Sequence, residues 1–97
     1  MNSKTLTLLG FASKAGKLAF GMDAAAHSIK AKKAHLIVVA SDVSDKSLKE
    51  ITFFAGGKTP VITLECDKET LSHAVGRKCG IISILDKGFK ESILKLN

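Results

Sequence analysis

Leu36-Ile37-Val38-Val39-Ala40 is an unbroken apolar run. A strand with one wet face alternates apolar and polar residues, and this one does not. Both of its faces are therefore covered, as in the interior of a sheet packed between helices. Ile81-Ile82-Ser83-Ile84-Leu85 reads the same way with one polar interruption. Two shorter segments complete the set. Lys17-Leu18-Ala19-Phe20 stops at Gly21, and Val61-Ile62-Thr63-Leu64 follows Pro60, which suits the first residue of a strand.

Helical patterns fill the spaces between these runs. Asn2 or Ser3 can cap a helix to about Ala15 with Leu6, Leu9, Ala12 and Ala15 on one side, and Gly16 stops it. Asp23 suits the N-cap of a second helix carrying Ala25, Ala26 and Ile29, closed by Lys30-Ala31-Lys32-Lys33. Ser47-Leu48-Lys49-Glu50 has capping-box spacing, with Ser44 or Asp45 as alternative caps. Leu48, Ile51, Phe54 and Ala55 then give the periodicity, and Gly56-Gly57 the stop. Asp67 can cap a short helix through Val75 that Gly76 ends. Asp86 can cap a final one carrying Phe89, Ile93 and Leu96. Alternation of this kind predicts an α/β fold, a sheet of about four strands with helices on both faces.

The 97 residues suit one domain over 1–97, with 45% hydrophobic and 25% charged residues and a single Pro. No apolar run approaches the ~18 residues of a membrane span, and Lys14 and Lys17 interrupt any signal-like core. A cytoplasmic location with no membrane association is expected. Cys66 and Cys79 have neither CxxC spacing nor a histidine pattern for zinc, and they read as small core residues. No metal site or cofactor is implied.

Charge is uneven along the chain. The net charge is +6, and residues 1–33 alone carry +5. A localised excess is the footprint of a polyanion-binding face, although a solvated lysine-rich surface has the same composition. Lys14, Lys17, Lys30, Lys32 and Lys33 make up most of it. The five aromatic residues are all Phe, which argues against base stacking as the main binding mode.

Catalytic motifs are missing. Gly56-Gly57-Lys58-Thr59 resembles the tail of a phosphate-binding loop, but the required earlier glycine is Thr52, and the segment runs from helix to strand. His27, His35 and His73 have no metal-pair spacing, and there is no GxSxG elbow. Asp42, Asp45, Asp67 and Asp86 sit where helix caps are needed.

Leu8-Leu9-Gly10-Phe11-Ala12, Lys14-Ala15-Gly16-Lys17-Leu18, Gly21 before a helix, Lys33 to Asp42, Pro60-Val61-Ile62, Leu71 to Gly76 and Asp86-Lys87-Gly88-Phe89 occur in this order. Together they resemble the L-seven-Ae/L-thirty-e ribosomal-protein family of kink-turn RNA binders, and most closely its short bacterial YlxQ-like branch. The resemblance spans essentially the whole chain. It implies a three-layer α/β/α sandwich with a mixed sheet and a non-catalytic, ribosome-associated protein. The implied partners are ribosomal or other structured RNA, and ribosomal proteins.

The family pattern G-x-N-E-x-x-K at the start of the second helix places RNA contacts at Gly21, Met22, Asp23 and His27. The loop after the third strand, Leu64–Lys68, adds Leu64, Glu65 and Cys66. Gly21 matches the pattern, but Asp23 replaces Asn, Ala24 replaces Glu and His27 replaces Lys. An ionised Asp accepts but cannot donate, and Ala24 accepts nothing. A lost base-edge contact costs ~1–3 kcal/mol. The expectation is RNA binding of relaxed or altered specificity, carried more by the lysines on the backbone than by base reading. A protein-interaction surface at Phe20, Met22 and Ala24–Ala26 is the alternative.

Overall fold

The computed structural model describes residues 3–96. The proposed cap at Asn2 lies outside them. The elements are α1 (Ser3–Lys14), β1 (Leu18–Phe20), α2 (Met22–Lys30), β2 (Leu36–Val39), α3 (Asp45–Ala55), β3 (Val61–Thr63), α4 (Lys68–Val75), β4 (Ile81–Ile84) and α5 (Lys87–Leu96). The sheet order is β1-β4-β2-β3. β4 is antiparallel to β1 and β2, and β3 is parallel to β2, so the sheet is mixed.

The two apolar runs are the two central strands, and every residue of both is buried. Strand geometry sends alternate side chains to opposite faces. Leu36 and Val38 join Ile82, Ile84, Leu9, Leu71 and Ile93 in the core under α1, α4 and α5. Ile37 and Val39 join Ile81, Ala25 and Ile51 in the core under α2 and α3. Three layers result, α/β/α, as expected.

Ser83, the polar break in β4, faces α2. The Ser28 hydroxyl lies 2.7 Å from Ser83 Oγ and 2.7 Å from the Ala25 carbonyl oxygen, so the buried pair is satisfied and pins α2 to the sheet.

The helix caps follow the sequence at the starts of α3, α4 and α5 and depart from it at α2. Asp67 accepts from the Thr70 amide at 2.8 Å, and Asp86 from the Phe89 amide at 2.9 Å. For α3 the acceptor is Ser44, which bonds the Ser47 amide at 3.1 Å, one of the alternatives to the Ser47 capping box. The box at Ser47 is not used, because the helix has already begun at Asp45. Asp23 is not the cap of α2. That helix starts at Met22 with Gly21 as its N-cap and no side-chain acceptor. The reason is the short path from β1. Gly21 still donates its amide to Ile81 O at 2.8 Å and turns into the helix at once with φ 90 and ψ 169, a backbone that needs glycine. In α1, buried Thr5 takes part of the face expected of Ala15, which is exposed.

Candidate nucleic-acid interface

β1, β2 and β3 run in one direction and β4 in the other. The ends of β1, β2 and β3 and the start of β4 therefore share one end of the sheet. The starts of α2, α3 and α4 gather there. Ser41 donates its amide to Cys66 O at 2.8 Å, Ala40 to Gly80 O at 2.9 Å, and Leu64 to Val39 O at 2.8 Å. The Lys68 amide donates to Asp42 Oδ1 at 2.8 Å. These bonds tie three loops into one rim.

A cavity of about 230 Å³ opens between the helix starts, lined by Gly21, Met22, Val43, Ser44, Ser47, Lys68, Gly80 and Ile81. The aliphatic stem of Lys68 crosses Gly80 so closely that a Cβ there would stand 2.9 Å from Lys68 Cδ and 3.0 Å from Val43 Cγ1. Gly80 thereby lets Lys68 lie across the rim towards Gly21. A Cβ on Gly21 would meet nothing within 4 Å, so the space over the start of α2 is open. The first amides of a helix have no partner within it. At α3, α4 and α5 a side chain accepts from one of them. At α2 no side-chain cap does. The start of α2 thus offers donors, and its dipole favours an electron-rich partner.

The rim carries charge of both signs. Exposed Asp23, Asp42, Asp45, Glu65 and Asp67 share this end of the sheet with exposed Lys46, Lys68, Arg77 and Lys78. Asp67 is held below the usual carboxylate range by its bonds to the Thr70 amide and hydroxyl. The carboxylates can accept from base-edge donors, and the open amides can donate to base-edge acceptors or phosphate oxygens, so the rim offers both kinds of partner.

The residues singled out in the sequence fall into two groups. Gly21, Met22 and Asp23 stand on the rim, with Glu65 exposed beside them. Leu64 and Cys66 belong to the same loop, but their side chains are in the core at 1% and 7% exposure. Burial pushes the Cys66 thiol up, and nearby Asp67 and Asp42 add to this. The Cys79 thiol is also raised by burial, against smaller opposing effects from Ser72 and Arg77.

The lysines lie elsewhere. α2 runs away from the rim, and nine residues carry it about 13 Å. Lys30, Lys32 and Lys33 follow at the opposite end of the sheet. Lys14 and Lys17 are there too, since Lys17 O accepts from the Leu85 amide past the end of β4. Neighbours in sequence are thus separated by the length of a helix, and the lysines do not flank the Gly21 loop in space. His27 lies between the groups, on an exposed ridge of α2 with Asp23 and Lys30 at i, i+4 and i+7.

Sequence reasoning named Ser44 only as a helix cap and reached Lys68 only as the end of the loop from Leu64, and it missed Gly80. Gly80 before a buried strand was the available signal; its contact with Lys68 depends on the tertiary fold. The alternative protein-interaction surface is not formed as drawn. Ala25 and Ala26 are buried, and the Arg77 guanidinium sits over the Phe20 ring at 4.7 Å.

Residues 3–94 match the model of the family described as "Ribosomal protein L7Ae/L30e/S12e/Gadd45 family". The chain belongs to this family. It is 28% identical over 94 residues to the RNA-binding protein YlxQ of Enterococcus faecium, covering 96% of this chain and 90% of that one. A Bacillus halodurans protein of unknown function superposes with a TM-score of 0.91 at 25% identity, over 98% of this chain and 97% of that one. The 15.5kD RNA binding protein of Giardia lamblia shares the fold, with a TM-score of 0.77 at 16% identity over 99% and 87% of the two chains. Among the described residues, no helix is long and apolar enough to cross a membrane.

Proposed function

We propose that this member of the family is a cytoplasmic, ribosome-associated protein that binds structured RNA of the kink-turn type without catalysing a reaction. The observation that carries the reading is the start of α2. It has open amides, no side-chain cap, a glycine that leaves the space above it free, and carboxylates and cations together on the rim beside it. The RNA-binding names of two of its relatives support the same reading.

Base reading here is weaker than the family pattern provides. Asp23 accepts only, Ala24 contributes no polar group, and His27 lacks a fixed charge. Specificity is therefore relaxed.

A titration against a kink-turn RNA and a plain duplex, at low and physiological salt, tests the reading. Binding to both at low salt is expected, with a modest kink-turn preference. The combined substitution Asp23→Asn, Ala24→Glu and His27→Lys should raise that preference by at least about tenfold, since each regained base contact contributes about 1–3 kcal/mol. No binding to either RNA at low salt would overturn it.

A further inference from the structure

The far end of α2 departs from the way three other helices close. α1, α3 and α4 each end at a glycine of positive φ, Gly16 at 71, Gly56 at 57 and Gly76 at 75. α2 closes with the Lys33 amide donating to Ser28 O at 2.9 Å and the Lys32 amide to Ile29 O at 3.0 Å. This is a Schellman closure, whose left-handed position favours glycine. Here that position is Lys32, with φ 60. Among the described residues no other non-glycine has a positive φ. A side chain in this conformation carries strain that glycine would relieve.

The strained lysine lines a cleft of about 680 Å³ between the ends of α2 and α3. Lys30 and Lys58 line it too, with Phe54, and no carboxylate is among the lining residues. Lys30 Nζ stands 5.6 Å from the centre of the Phe54 ring. Phe53, 81% exposed, meets Phe54 edge-on at 6.0 Å.

Three ammonium groups around one cleft repel each other, and an entering anion relieves this. The resemblance of Gly56-Gly57-Lys58-Thr59 to a phosphate loop does not extend to its backbone. The amides of Gly56, Lys58 and Thr59 already donate to the carbonyls of Thr52 and Ala55. The lysine side chains are what this segment and α2 offer.

A repeating anion fits better than a single one. The exposed ridge of Asp23, His27 and Lys30 leads from the rim to the cleft. We propose that the cleft holds the sugar-phosphate backbone of the same RNA, about 13 Å along α2 from the rim, as a second contact that does not read sequence. The proposal rests on the RNA-binding reading above.

The test uses the full chain, a kink-turn RNA with one lengthened stem, and a plain duplex of equal length. Lys32→Gly removes the charge and the strain together. It should melt at the same or a higher temperature yet bind both RNAs more weakly. Its log K against log salt slope should be shallower by about one, and by about three when Lys30→Gln and Lys58→Gln are added. The kink-turn preference should not change. Lys30→Gln with Lys58→Gln alone leaves the helix closure intact and should lower the slope by about two.

Variants with the affinity and slope of the parent would overturn the second contact while leaving the rim reading intact. A Lys32→Gly protein that melts lower would overturn the strain argument. A parent protein that binds neither RNA at low salt would overturn both readings.

Discussion

The two ends of α2 are opposites. At the rim, the chain enters the helix through a glycine, leaves the first amides without a side-chain cap and sets carboxylates and cations together around them. At the far end it closes the helix on a strained lysine and lines a cleft with two more. The rim suits the reading of base edges, and the far end suits holding phosphates. One short helix thus separates an end of mixed charge from an end lined by cations alone. Residues adjacent in sequence do not share a site when a helix lies between them.

The comparison needs α2 to be held firmly on the sheet. Ile37 is fully buried beneath it, and Ile37→Ala should cost about 2–5 kcal/mol of unfolding free energy in a urea titration. Both ends should weaken together in that variant; a loss confined to one end would break the picture of a single strut. Ser28→Ala removes the partner of buried Ser83 and should cost about 1–3 kcal/mol by the same measurement.

Gly21→Val separates the ends. A β-branched residue at φ 90 should cost about 1–3 kcal/mol in stability. In RNA titrations it should abolish the kink-turn preference while leaving the salt slope of duplex binding unchanged. A lower slope would place the phosphate contacts at the rim instead.

The smallest effect concerns the capped start of α4, on the other face of the sheet. The depressed Asp67 carboxyl contributes stability that is present above the ordinary carboxylate pKa and is lost as pH falls through its folded value. Asp67→Ala should therefore lower the melting temperature at neutral pH. The gap to the parent should close in strong acid, and melting curves across that range check it.

Much of the fold was legible in the sequence. Leu36 to Ala40 and Ile81 to Leu85 announce two central strands because nothing polar alternates with them, and Ser83 is the exception that meets Ser28. Asp67, Asp86, Gly16, Gly56 and Gly76 mark helix ends through local backbone chemistry alone. Asp23 was misleading because capping preference is local, whereas the start of α2 is set by the bond from Gly21 to β4. Leu64 and Cys66 flank exposed Glu65, and strand-like alternation already hinted that they face inward. The placing of the lysines was not legible, because strand order and the direction of α2 decide which end they reach. Lys68 and Gly80 meet only once β4 and α4 are packed.

The most direct test of the division is an amide chemical-shift map of the whole labelled protein with the stem-lengthened kink-turn RNA, then with the plain duplex. The account predicts two shifted clusters with the first RNA, one around Met22 to Ala24 and one around Lys30 to Lys33 and Lys58. It predicts that the duplex shifts the second cluster alone. A single cluster at the rim with both RNAs, and undisturbed amides around Lys32, would contradict it.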